Sequence, residues 1–266
     1  MLKYHVLQTS LEPVEPRSVQ RAFARVKFLT RQDAFIVVRD AFGVLLKDLS
    51  FVDAEAVQEA LSAEGVDTEI IAADSLPILP PTHLSRRVEL LEQGICIHDV
   101  IGRETLVEWD RIELLAAGAV PVRVERMVAP PTGAGVFDSD FLVDSHSPWG
   151  GVLGTGLGAG PSSTRAEDVE RNTVDIVLAG GSERHTLLAE EALLTHALKR
   201  PCRGQVRPAF LDFVWRVSSA VPNAWLNRGA VLARNFGALL AYPSRNAYHE
   251  EIQWGLRHST KAGGGS

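Results

Sequence analysis

The sequence predicts an α+β protein: an N-terminal βααβαβ module, then a β-rich domain, then a helical end. Three observations carry this expectation. Over the first 75 residues, short alternating runs are interleaved with capped stretches of helical period. Leu76–Pro81 (LPILPP) is a stiff extended segment that marks a boundary. Beyond it come short β-type runs with turn residues between them, and helical character returns only after residue 189.

The module reads element by element. Lys3–Thr9 is a short strand, and Pro13 and Pro16 punctuate the loop after it. Ser18 opens a helix to Phe28, with Val19, Ala22, Phe23 and Val26 on one face. Thr30-Arg31-Gln32-Asp33 is a capping-box start in which aspartate stands where glutamate is usual. Ala34, Val37, Val38 and Ala41 form that helix's apolar stripe, and Gly43 stops it. Val44–Leu49 is a strand. Ser50-Phe51-Val52-Asp53 caps a third helix, which buries Ala54, Val57, Ala60 and Leu61 and ends at Gly65. Val66–Ala72 alternates and closes the module as a strand.

The lines LTRQDAFIVVRDAFGVLLKDLS and DAEAVQEALSAEGVDTEII, with their helix starts and Gly65, give this module a family likeness. It resembles the C-terminal domain of the bacterial ribosomal stalk protein and the related Clp-protease adaptor fold, over residues 3–73. Both families are non-catalytic docking modules, so the resemblance implies binding work. The stalk domain has a glycine-rich turn between its first two helices, near its factor-binding surface. Here that turn holds Arg25, Phe28 and Thr30, and no binding residue is carried across.

In the middle, Gly94–His98 and Thr105–Trp109 flank the turn Asp99–Arg103 as a hairpin, and Asp110–Ala116 and Val120–Glu125 continue in β character. Pro130–Asn172 is rich in Gly, Ser, Pro and Asp and reads as a flexible insertion. Val174–Ala179 and Arg184–Ala189 flank Gly180-Gly181-Ser182 as a second hairpin, with a helix expected through Leu198. The run TLVEWDRIELLAAG, more hairpin and then a helix resemble the bacterial pleckstrin-homology-like (PH-like) barrel. Pro208–Val217 suits helix or strand. Asn223 is the expected cap of a helix through Tyr242 that buries Leu226, Val231, Phe236, Leu239 and Leu240 before Pro243 stops it. Ala247–His258 is the last expected helix. The organisation is thus 1–75, the αβ module; 82–200, the β-rich domain with its insertion at 130–172; and 201–260, the helical segment. The chain as a whole resembles uncharacterised bacterial proteins, which brings no activity with it.

Composition bounds the function. The chain has 266 residues, is 45% hydrophobic and 23% charged, and carries a net charge of −6. That apolar share supports packed cores, and the acidic balance speaks against general nucleic-acid binding. Cys96 and Cys202 form no CxxC pair and read as free thiols of a cytoplasmic protein. The opening residues lack the apolar run of a signal peptide, no stretch reaches the ~20 residues of a membrane span, and Lys261–Ser266 reads as a flexible tail.

Several constellations are candidates for chemistry. The run Gly150–Gly160 (GGVLGTGLGAG), with Ser163–Arg171 as its helix, is the candidate phosphate cradle. It lacks a lead-in strand and a Lys after Gly160, and Pro161 follows it, so a flexible insertion is the favoured reading. Asp138, Asp140, Asp144 and His146 could ligate a hard cation but suit a solvated loop better. Ser182 near His185 lacks a G-x-S-x-G context. His98 and His196 read as packed or surface histidines. Arg86-Arg87 with Arg200, Arg203 and Arg207 read as solvated surface, or else as contacts to lipid headgroups or an acidic partner. Tyr242, Tyr248 and Trp254 with Phe236 offer a docking surface or, more ordinarily, core.

No catalytic residue, metal ligand or cofactor is assigned. The expected function is protein–protein interaction, as an adaptor or structural component. The alternative is a ligand- or phosphate-binding protein using residues 150–160, and a hydrolase ranks last. A protein partner is expected, no nucleic acid and no membrane span are, and homo-oligomerisation is left open.

Overall fold

The computed structural model describes residues 2–99, 101–128, 163–189 and 209–263. Met1–Pro121 with Glu170–Ser266 form one compact unit and Val122–Val169 another.

The module expected at 1–75 has three strands and three helices. Strand β1 (Tyr4–Gln8) leads to helix α1 (Pro16–Phe23) and helix α2 (Arg31–Asp40); strand β2 (Val44–Leu49), helix α3 (Phe51–Ser62) and strand β3 (Thr68–Ala72) follow. The sheet runs β2-β1-β3, antiparallel throughout, so both outer strands share it through β1. The capping box forms with its aspartate. Thr30 Oγ1 accepts from the Asp33 amide at 3.2 Å, and Asp33 Oδ2 accepts from the Thr30 amide at 2.7 Å. The Thr30 hydroxyl, donating to Asp33 Oδ2 at 2.6 Å, and the Thr30 amide hold the Asp33 carboxyl below its usual range. Ser50 caps α3 by accepting from the Asp53 amide at 3.2 Å. Val19, Ala22, Phe23, Ala34, Val57 and Leu61 fill the core between helices and sheet.

A second sheet is larger. Its strands are β4 (Thr82–Leu90), β5 (Gly94–Asp99), β6 (Glu104–Glu108), β7 (Ile112–Val128), β8 (Ser163–Leu178), β9 (Arg184–Leu188) and β10 (Trp225–Leu226), in the order β10-β7-β8-β9-β4-β5-β6. Both expected hairpins, β5–β6 and β8–β9, are antiparallel pairs. Helices α4 (Ala209–Ala220), α5 (Arg228–Phe236) and α6 (Arg245–Gly263) complete the described chain. Val88, Ile95, Ile97, Val107, Ile176 and Leu187 of the sheet pack against Phe213, Val214 and Val217 of α4. No helix is long and apolar enough to cross a membrane among the described residues.

Several expectations change, the first at α1, which Pro16 rather than Ser18 opens and which ends at Phe23 rather than Phe28 because the chain turns there. Ser163–Asn172, expected to be irregular or helical, is the first part of β8. Its sequence is polar, so no apolar periodicity reports the strand, and β9 pairs with β8 only from Thr173 onward. Thr82–Leu90, given no element of its own within the expected β-rich domain, is a strand paired with both β9 and β5. The two β runs after residue 110 are one strand, β7. The helix cap is Asn227 rather than Asn223, because Trp225-Leu226 pair with Leu114-Leu115 as a parallel edge strand and take those residues out of the helix. Gly237, at φ 64°, then ends α5, which leaves Phe236 exposed at 77% and Tyr242 in an extended segment bonded to Ala119. The helix expected through Leu198 lies outside the described residues.

Gly229 shows how closely α5 seats on the sheet: a Cβ there would lie 1.8 Å from the Ala117 carbonyl oxygen. α6 joins the two sheets. Trp254, fully buried, packs with Leu7, Phe42, Val44 and Ile71 of the small sheet, and its indole N–H donates to the Gln8 carbonyl at 2.9 Å. Gly43 makes room for it, with φ 80° and the Trp254 ring 2.4 Å from where a Cβ would stand.

Candidate functional site

The N-terminal module carries a groove of ≈ 550 Å³ between the α1–α2 turn and α3. The turn is tight. The amides of Arg25, Val26 and Leu29 each bond three residues back, at 3.0–3.1 Å. This winding turns Val26 inward and leaves Phe28 44% exposed. Along α3, Val52, Ala56, Ala60 and Ala63 line the opposite wall. Their spacing of four, four and three residues puts them on one helix face. Three are alanines, so the wall is low and a partner backbone can approach it. Val52, at 72% exposure, stands at the open end. Arg25, Lys27, Asp53 and Glu59 rim the groove with both signs of charge. Glu64 fixes the turn from beside it, bonding Arg21 Nε and Arg25 Nη2 at 2.5 Å each, and the Arg21 bond draws its carboxyl below the usual range.

A second cleft of ≈ 480 Å³ lies between α2, β2 and the start of α6. Asp33, Asp40, Asp48 and Glu250 make it acidic, and the Lys47–Glu250 ion pair crosses it. Asp48 sits at φ 58°, its amide donating to His5 Nδ1 at 3.2 Å and its carbonyl accepting from Lys3 Nζ at 2.9 Å.

Two polar groups of side chains lie inside the larger unit. Asn227 accepts from the amides of Ala117 and Ala230 at 2.9 and 2.8 Å, so the residue that caps α5 also ties it to β7. Its Nδ2 donates to the Tyr242 hydroxyl, which donates to Glu251. The second group centres on Asp175, 2% exposed, beside Arg184 at 3.8 Å and bonded to the Thr186 hydroxyl. Burial raises the Asp175 carboxyl, and burial together with Asp175 holds the Tyr248 phenol well above its usual range. His249 is pushed down to about 4 by burial and by the neighbouring Arg184 and Arg245.

The sequence candidates fall as follows. Ser182 bonds the Ala179 carbonyl at 3.5 Å, while His185 is buried and approaches Glu183 at 3.6 Å and the His83 ring at 5.7 Å. No hydrogen bond joins Ser182 to His185 among the described residues. His98 lies between Glu89 and Glu104, 3.7 and 3.6 Å away. The Cys96 thiol, 3.8 Å from His98, is pushed up by burial and by both carboxylates, so it is not an activated nucleophile. Arg87 pairs with Glu89, and Arg86 is exposed. Tyr242, Tyr248 and Trp254 are core residues at 5%, 1% and 0% exposure, not a docking surface. Asp138, Asp140, Asp144, His146, Gly150–Gly160, His196, Arg200, Cys202, Arg203 and Arg207 lie outside the described residues. Among the described residues, no three His, Cys, Asp or Glu side chains are placed to hold a metal ion.

The groove was not singled out in the sequence. Its signal was there in the alanine stripe of α3 and the unpaired Val52, but exposed and buried alanines look alike until the helix is seated. The chain matches no family model, no curated protein and no solved structure.

Proposed function

We propose that this protein is a non-catalytic interaction module, an adaptor or structural component, and that it docks one face of a partner helix in the groove between the α1–α2 turn and α3. The groove itself carries this reading. Val52 to Ala63 spans about 16 Å of helix axis, room for apolar anchors at i, i+4 and i+7 of a helix laid alongside. Exposed Phe28 supplies an aromatic contact on the facing wall, a residue type that contributes strongly at interfaces. The likeness of residues 3–73 to the stalk and Clp-adaptor docking domains supports the same reading.

The test is affinity purification of the tagged full chain from its native host, with mass spectrometry, in parallel with two variants. Val52→Asp places a charge at the open end, and Ala56→Arg fills the floor. Both positions are exposed, so the fold is kept. A partner captured by the wild type and by the control Glu55→Ala, but lost from both variants, supports the reading. Capture that is indifferent to both variants rules the groove out.

A further inference from the structure

Among the described residues, strand β6 ends the larger sheet. The Asp99 amide donates to the Arg103 carbonyl at 3.0 Å, and the Trp109 amide to the Gln93 carbonyl at 3.4 Å. In an antiparallel ladder hydrogen-bonded pairs recur at every second residue. With Ile97 opposite Thr105 and Ile95 opposite Val107, those two residues of β6 bond inward to β5. Glu104, Leu106 and Glu108 therefore turn their N–H and C=O groups outward along an edge that no other described strand covers. Their side chains share one face of the sheet. Leu106 is 46% exposed and the Glu104 side chain 70%.

We infer that this edge is a second docking site, which receives an extended segment of another protein bearing basic residues on either side of an apolar one. Strand addition supplies the main-chain bonds, and the side chains of the edge set the sequence it accepts. An antiparallel segment sets alternate residues opposite Glu108, Leu106 and Glu104, so Lys or Arg, then an apolar residue, then Lys or Arg complement it. A second copy of the chain does not fit. The self-pairing that uses all three outward residues sets Glu104 against the other copy's Glu108 twice, and like charges directly opposed are destabilising.

The experiment uses the full chain, 15N-labelled, and the peptide acetyl-Gly-Lys-Thr-Val-Thr-Lys-Gly-amide at low salt. Saturable amide shifts at Glu104, Leu106 and Glu108 are expected, with about tenfold weaker binding when both lysines of the peptide become glutamates. Leu106→Pro removes one outward N–H and leaves the ladder to β5 intact, which an edge strand accepts; it should abolish binding. Glu104→Lys with Glu108→Lys leaves the backbone unaltered and should reverse the peptide preference. Equal binding of both peptides, shifts confined to other residues, or unchanged binding by Leu106→Pro would overturn the inference. So would a dimer of the wild type in sedimentation that Leu106→Pro dissociates, since the edge would then belong to a second copy.

Discussion

Arg228 and Glu251 are locked together by three hydrogen bonds: the Arg228 amide meets one carboxylate oxygen at 2.7 Å, and its guanidinium meets the other at 3.0 and 2.9 Å. Glu251 has no exposed surface, and the Tyr242 hydroxyl donates to it as well, at 2.9 Å. The Arg228 guanidinium also lies over the Phe42 ring, 4.0 Å from its centroid. One carboxylate thus connects α6, the start of α5 and the segment at Tyr242. Glu251→Ala removes the acceptor from all of them and should cost about 3 kcal/mol. Urea denaturation measures this, and a loss below about 1 kcal/mol would show that water replaces the carboxylate freely.

Asp175 and Arg184 form a pair with little access to water on either side, 2% and 6% exposed. Breaking one member leaves the other's charge buried and unmatched. Asp175→Asn should therefore cost about 3–5 kcal/mol. The double change Asp175→Leu with Arg184→Met should return to within about 1 kcal/mol of the wild type. If the double variant is as unstable as the single, hydrogen bonding rather than charge burial governs this position.

The pH dependence has a definite sign at His249. Its imidazole is held down to about 4 in the folded chain, against 6.5 for the free side chain. The neutral form is therefore favoured by folding. Stability from this source is complete above about pH 6.5 and is lost as pH falls toward 4. His249→Gln should lose less Tm between pH 7 and pH 5 than the wild type does. Asp175 and His185 titrate in both proteins, so their contributions cancel in the comparison. Parallel Tm curves for the two would remove His249 as the cause.

At Gly43 a left-handed backbone coincides with the Trp254 ring. Gly43→Ala should cost at least about 2 kcal/mol, from strain together with displacement of the indole. Near-UV circular dichroism and the emission of Trp254 should both change. Gly65→Ala, at φ 76° but with open space around it, supplies the comparison: backbone strain alone, at about 1 kcal/mol. Equal losses at the two positions would mean that the indole moves aside without cost.

The parts of the fold written in the sequence are those fixed within a few residues. Thr30 with Asp33, Ser50 with Asp53, and the stops at Gly43 and Gly65 are local bonds or dihedral requirements, so spacing reveals them. The parts that were missed depend on distant chain. Thr82–Leu90 carries His83, Arg86 and Arg87 among its apolar residues and is a strand because β9 and β5 lie on either side. Asn227 outcompetes Asn223 because its carboxamide also reaches Ala117, 110 residues away. The groove is legible only in part for the same reason. The exposed Phe28 and the α3 alanines become one surface only when α1 and α3 pack together around Val26 and Ala60.

Trp254 closes the core of a sheet whose first strand, β1, is made long before α6. The indole's bond to the Gln8 carbonyl spans 246 positions of sequence. At 5–20 residues per second, the ribosome needs roughly 10–50 s to cover that interval. Throughout it, Leu7, Phe42, Val44 and Ile71 are an apolar patch without its lid, on a nascent chain that is otherwise ready to fold. The module is thus born sticky, and holding chaperones have a defined window and a defined place to act before α6 emerges.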